Sequence, residues 1–416
     1  MPRIGKGDNL IQKFAVLYII VWSISPPLEI DMIYRVAALG CAGIWGIMAL
    51  SRGLYVEKVH VYAVIFAMAV VFISYMETDG FSSALKHIAI YMMVVCFVIN
   101  AFYENRWQEL SGIIPIVLIL LIVFNWKTTQ ALIDDHTIAR SLIRDDEEVY
   151  QYLRQGIGGY SLIYPQVCIS PVIMAWTIKA WKNHKLSFVL GCVWVFTFVE
   201  CILKAGYSIA IFATIVGVIV LLIYKGRSAI SAIILSFIVF GISIALIIYS
   251  DAVRGFLLET FDGTAIATKI NDLMATSSEG QSEGSIEDRI VRYRASIENI
   301  IKYPLIGSLW MNNGGGHSAV MDNLAKYGIW GGGLYIVMLF YVPKQYKKKY
   351  VNSKMVRIIN AVMVTTFFVG FLDSFSYSFM PMILIILPLF LEDILKWEGI
   401  NNENSLDSKF NNSGII

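Results

Sequence analysis

From Tyr207 to Ser250 the chain reads YSIAIFATIVGVIVLLIY, then KGRS, then AISAIILSFIVFGISIALIIYS: two blocks without Asp, Glu, Lys or Arg, joined by one basic turn. Each block approaches the ~20 apolar residues that a helix needs to cross a hydrocarbon core about 30 Å thick. A helix is the form expected there, because inside lipid every backbone polar group must be satisfied within the protein. Short connections collect Lys and Arg on the cytoplasmic side, so Lys225 and Arg227 place the turn between the blocks inside.

The same ruler, moved outward along the chain, finds about twelve spans: 10–26, 33–50, 59–76, 86–102, 112–126, 160–181, 186–203, 207–224, 229–249, 319–342, 355–373 and 377–395. Arg3, Lys6 and Lys13, then Arg52 and Lys58, Arg106, Lys182 and Lys185, and the run from Lys344 to Arg357 all fall in alternate connections, as Lys225 and Arg227 do. The other connections, with Glu77, Asp79 and Asp373, are acidic or nearly uncharged. The expected fold is therefore an all-α polytopic membrane protein with both termini cytoplasmic. Its expected parts are spans 1–5 (1–126), a first long outer loop (127–159), spans 6–9 (160–249), a second long outer loop (250–318), spans 10–12 (319–395) and a cytoplasmic tail (396–416).

Composition supports a membrane solvent: of 416 residues 57% are hydrophobic and only 15% charged. A net charge of +2, with its cations dispersed, argues against nucleic-acid binding. All five cysteines sit in apolar stretches without CxxC spacing, where they act as packing residues and not as a disulfide or zinc framework. The first apolar run is followed by Pro26-Pro27-Leu28-Glu29, which offers no small-x-small cleavage site, so it reads as a retained span.

Loops as long as 127–159 and 250–318 are uncommon unless functional or disordered. In the second, Thr276 to Ser285 reads as a flexible acidic linker. After it Ile290, Tyr293, Ile297, Ile300 and Ile301 recur at helical spacing until Pro304. An amphipathic helix lying on the membrane is expected, with Arg289 and Arg292 as neighbours on its other face.

The stretch that follows carries Pro304-Leu-Ile-Gly307, Gly314-Gly-Gly-His317-Ser318, Asp322 and Gly328-Ile-Trp-Gly331. His317-Ser318, nine residues and then Gly328-x-x-Gly331 resembles the H-[NSQ]-x9-G-x-x-G pattern of the O-antigen polymerase and O-antigen ligase superfamily. Arg289, Tyr293, Pro304 and Gly307 resemble its upstream Arg, aromatic and Pro-x-x-Gly pattern. His-Ser followed by Asp322 and Leu324 looks more like the polymerases. The resemblance departs at Lys204-Ala-Gly-Tyr207-Ser208, where many members have a Ser-Arg pair; Lys204 is the substitute cation. The Arg-x10-Gly pattern of some polymerase loops is also absent.

The resemblance implies a GT-C-like, metal-independent and cofactor-free glycosyltransferase of a bacterial inner membrane, with a periplasmic site. Its substrates would be undecaprenyl-pyrophosphate-linked glycans as donor and acceptor, among membrane lipids, with a chain-length regulator as the protein partner such an enzyme takes. Polymerisation is the first expectation; ligation of the glycan to lipid A core is the alternative, and a transporter or flippase the remote one. Transfer of a sugar C1 from diphosphate needs charge stabilisation, which the bidentate, permanently protonated fork of Arg289 supplies, with Arg292 beside it. The acceptor hydroxyl needs a proton acceptor near neutrality, the role expected of His317. Ser318, Asp322, Lys204, Arg154 and Tyr160 are the remaining candidate substrate contacts. Other readings stay open: lipid-headgroup anchoring for the arginines, a helix-dipole partner for Asp322, a Glu200–Lys204 helix pair, and solvated loop positions for Arg154 and Tyr160.

Overall fold

A computed structural model describes residues 6–51, 57–76, 98, 101–102, 107–135, 138, 142, 147–260, 267, 270–271, 274, 285–309, 315–350, 353–373 and 380–398. Among these residues every regular element is a helix and no strand occurs. In chain order they are α1 (Lys6–Ile24), α2 (Pro26–Ile30), α3 (Met32–Leu50), α4 (Lys58–Met76), α5 (Trp107–Leu110), α6 (Ile114–Asp134), α7 (Glu147–Arg154), α8 (Tyr160–Asn183), α9 (Lys185–Ala205) and α10 (Ser208–Ile223). Then follow α11 (Ala229–Tyr249), α12 (Asp251–Thr260), α13 (Ser285–Lys302), α14 (Ala319–Lys349), α15 (Ser353–Leu372) and α16 (Met380–Trp397). Among the described residues six stretches are long and apolar enough to cross a membrane: Met32–Ala49, Ser111–Asp134, Tyr160–Asn183, Lys185–Ala205, Ala229–Tyr249 and Ser353–Leu372. The expected span 86–102, the linker before Ser285 and the tail beyond Glu398 lie wholly or mostly outside the described residues.

The burial of these helices fits a membrane solvent. In α11, among the most apolar helices, only 11% of the span is buried, and Ile230, Ile234, Ile238, Ile242 and Leu246 form an exposed stripe at a spacing of four. Such a face would be untenable in water and suits lipid. In α8, by contrast, 78% of the span is buried, because it packs against α9, α10, α15 and α16. Its interior is polar where partners exist. Gln166 exchanges two hydrogen bonds with Asn125 of α6, at 2.9 and 2.7 Å, and accepts a third from Trp194 of α9. Pro171 has no N–H for the Val167 carbonyl, and the Ser170 hydroxyl donates to that oxygen instead, at 2.8 Å.

Two helices differ from the expected segments. α6 runs past residue 126 to Asp134, because Asn125, Thr128 and Thr129 are buried in the bundle and the helix has protein to pack against there. α14 is broken at Gly328, whose φ of 64° and ψ of −168° only glycine adopts readily. The 319–327 segment therefore enters the bundle as a separate short helix. The straight α15 spans about 30 Å from Ser353 to Leu372 at 1.5 Å per residue. Its ends define two poles: one with Asp373 and α13, the other with the Lys-rich end of α14.

Candidate functional site

α13 docks by the face that a soluble helix would turn outward. Arg289, Tyr293 and Ser296 lie four and three residues apart and turn toward the bundle, while Ile290, Ile297 and Ile301 are exposed. The inward polar face finds a partner at each step. Tyr293 donates to the Leu372 carbonyl, Arg289 Nη1 donates to the same oxygen at 3.3 Å, and the buried Ser296 hydroxyl donates to Asp322 Oδ1.

The glycine motifs fasten the end of α13 to α14. Gly307, at φ 75°, and Gly328 are back to back: a Cβ on Gly307 would lie 2.3 Å from the Lys326 carbonyl, and one on Gly328 2.2 Å from the Leu305 carbonyl. Around them the main chains pair: Ser308 N to Ala325 O at 2.8 Å, Leu309 N to Lys326 O at 3.0 Å, Ile329 N to Pro304 O at 3.0 Å and Trp330 N to Leu305 O at 3.3 Å. Pro304-x-x-Gly307 and Gly328-x-x-Gly331 are thus two halves of one backbone clasp. Their close approach is to each other.

The loop carrying His317 is held from both sides. Gly315 N–H donates to Ser296 Oγ at 2.8 Å, with its Cα so near α13 that a Cβ would lie 2.0 Å from the Arg292 carbonyl. Ser318 is fully buried; its hydroxyl accepts from Met321 N–H at 3.0 Å as the N-cap of α14 and donates to the Gly370 carbonyl at 3.3 Å. Asp322 reaches back to the Ser318 N–H at 2.8 Å with its second oxygen, so both of its carboxylate oxygens are engaged. Between these anchors His317 is partly exposed. Its pKa is lowered by burial and by the Arg289 and Arg292 cations, against the opposite pull of Asp373 and Asp322, which favours the neutral imidazole.

Asp373, just past the end of α15, is the hub. Its side chain accepts from Tyr164 at 2.6 Å and pairs with Arg289 at 3.5 Å, and its backbone carbonyl accepts from Ala319 N–H at 3.0 Å. Burial opposes the charge of Arg289, but Asp373 and the tyrosine oxygens around it outweigh this and hold its pKa above the ordinary value. Tyr160 faces the guanidinium and packs on Tyr164, with ring centroids 4.8 Å apart, and on Tyr207, 4.3 Å apart. The arginine side chain remains 26% exposed, against 4% for Asp373, so the guanidinium is the accessible charge of the pair.

Of the candidates from sequence, Arg289, Arg292, His317 and Tyr160 meet at this pole, with Ser318 and Asp322 beneath them. Arg292 is exposed. Lys204 and Arg154 are exposed at the ends of α9 and α7, and no hydrogen bond or ion pair joins them to the cluster. No ion pair links Glu200 to Lys204 among the described residues either. Sequence reasoning missed Asp373, Tyr207 and Ser296. The available signal for Asp373 was a lone acid at the end of a span, where an ionisable residue is functional by default. Among the described residues no three His, Cys, Asp or Glu side chains group so as to hold a metal ion. No protein-family model matches the chain, and no curated protein matches it in sequence.

Proposed function

We infer that the chain is a polysaccharide polymerase of the bacterial inner membrane. It transfers a growing glycan from undecaprenyl pyrophosphate to the non-reducing end of a lipid-linked repeat unit at a periplasmic site. This reading takes the chain as twelve spans with both termini cytoplasmic and 127–159 and 250–318 as outer loops. The observation that carries it is the convergence of Arg289, Arg292 and His317 on and beside α13: one partly exposed and one exposed guanidinium next to an imidazole whose pKa is lowered.

The chemistry follows from those groups. The acceptor hydroxyl attacks the sugar C1, and its proton passes to His317, whose neutral form is the one able to take it. As the bond from C1 to the diphosphate oxygen breaks, Arg289 and Arg292 pair the charge developing on the leaving group. Asp373 and Tyr160 keep the Arg289 fork aimed, and Ser318 and Asp322 hold the loop that presents the imidazole. Ligation to lipid A core uses the same donor and the same groups, so the acceptor is what separates the two reactions.

The lipopolysaccharide profile of a strain lacking this chain tests the reading. Core bearing a single repeat unit, restored to long chains by the wild type and not by His317→Ala, is the expected result. Core without any repeat would make the chain a ligase, and an unchanged profile would overturn the glycan reading.

A further inference from the structure

At the pole opposite Asp373, an open apolar groove runs between α10 and α11, lined by Val216, Val220, Ile223, Tyr224, Leu235 and Val239 among others. Its position follows from connectivity: α10 begins beside Tyr160, where Tyr207 packs, and ends at Ile223 a helix length away. The turn at its mouth is fixed. The Tyr224 hydroxyl donates to the Ser228 carbonyl at 2.7 Å, and Asn360 of α15 donates to the Gly226 carbonyl at 3.1 Å. That turn displays Lys225 and Arg227, both exposed.

α15 adds Arg357, which donates to the Leu222 carbonyl at 3.4 Å while its buried Nε has no hydrogen-bond partner. The surplus of positive charge is intrinsic, because neither 201–250 nor 331–372 contains an Asp or Glu. The acids of α16 and the residue after it are engaged elsewhere, Glu392 with Lys349, Asp393 with Trp176 and Glu398 with Lys179. A wall without polar surface suits an alkyl chain, and a rim of two guanidiniums and an ammonium suits a phosphodiester. The two lie end to end as in a phospholipid.

We propose that this groove and rim bind one anionic phospholipid of the cytoplasmic leaflet, an acyl chain between α10 and α11 and the phosphate among Lys225, Arg227 and Arg357. The site is independent of the glycan reading, since it shares no residue with the Asp373 pole.

The test is native mass spectrometry of the full chain in detergent micelles, titrated with phosphatidylglycerol or phosphatidylcholine. Wild type should bind phosphatidylglycerol tighter, and Lys225→Gln with Arg227→Gln should lose about five-fold for each cation removed. Both are exposed turn residues, so folding is expected to be kept. Val239→Trp, which fills the groove, should weaken both lipids and leave the cations in place. Excess inorganic phosphate should not displace the lipid. Equal affinity for the two lipids in wild type, or unchanged phosphatidylglycerol binding in the double variant, would overturn the proposal; so would displacement by phosphate or unchanged binding by Val239→Trp.

Discussion

The two ends of α15 hold the same three ingredients, a buried carboxylate, a cation and a tyrosine, in opposite states of completion. At the pole near the Lys-rich end of α14, Glu392 pairs with Lys349 at 2.9 Å and accepts from the Tyr350 hydroxyl, and both charged side chains are sealed, at 2% and 3% exposure. Lys349 also lies over the rings of Phe102 and Tyr350, at 5.1 and 5.5 Å. At the opposite pole Asp373 is equally sealed and takes the Tyr164 hydroxyl, but its cation stands off at 3.5 Å and is partly open. A finished ion pair has no capacity left for a ligand. An unfinished one, built on a side chain with five donors, keeps donors to offer. On the proposed function, the Glu392 cluster serves stability and the Asp373 cluster serves chemistry.

Substitutions at four residues would break or sharpen that division. His317→Ala at the open pole should slow polymer formation by about 100- to 10,000-fold in a purified assay with a lipid-linked repeat unit, while thermal unfolding stays as in wild type. His317→Gln retaining the rate would reduce the histidine to an orienting group. At the closed pole, Glu392→Ala leaves Lys349 buried and unpaired, so the stability loss should be about 3–5 kcal/mol, read as a fall in melting temperature. Activity of the protein that remains folded should be nearly unchanged; a rate collapse there would merge the two poles.

Arg289→Lys keeps the charge and loses the fork, and a loss of about 10- to 100-fold in rate with normal expression is expected. Wild-type activity in that variant would leave Arg289 a headgroup anchor. The smallest effect concerns pH. Because the pKa of His317 is lowered, activity should rise with pH through a limb below the ordinary histidine value and then level off. Arg292→Gln removes one of the lowering charges, so the limb should move to higher pH, whereas Arg292→Lys should leave it in place. A limb unmoved by Arg292→Gln would separate that arginine from the imidazole.

How much of this was legible in the sequence differs between the poles. The apolar blocks and the basic connections announce helices and their ends, because the length of a span and the chemistry of its flanks are local properties. Arg289 and His317 were legible as a spaced pattern. Asp373 was not, since its meaning depends on Tyr164, Arg289 and Ala319, which lie far away in the chain. Gly307 and Gly328 stand in the sequence as members of a spaced pattern, but each has the other's backbone as its neighbour, a reciprocity that no one-dimensional spacing displays. The break of α14 escaped for the same reason: a glycine in an apolar run is tolerated in a helix, and only the Pro304–Gly307 half of the clasp makes Gly328 a corner.

That clasp also has a signature in time. The amides of Ser308, Leu309, Ile329 and Trp330 are donors across the chain, although they sit where loop meets helix. They should exchange with deuterium only when the two segments part, and so remain slow beside loop amides such as Gly316 that have no such acceptor. Gly307→Ala forces a side chain into a carbonyl at a left-handed φ, at a cost of about 1–3 kcal/mol, and should release all four protons together. Exchange of these amides would then measure how firmly α13 is tethered to the bundle.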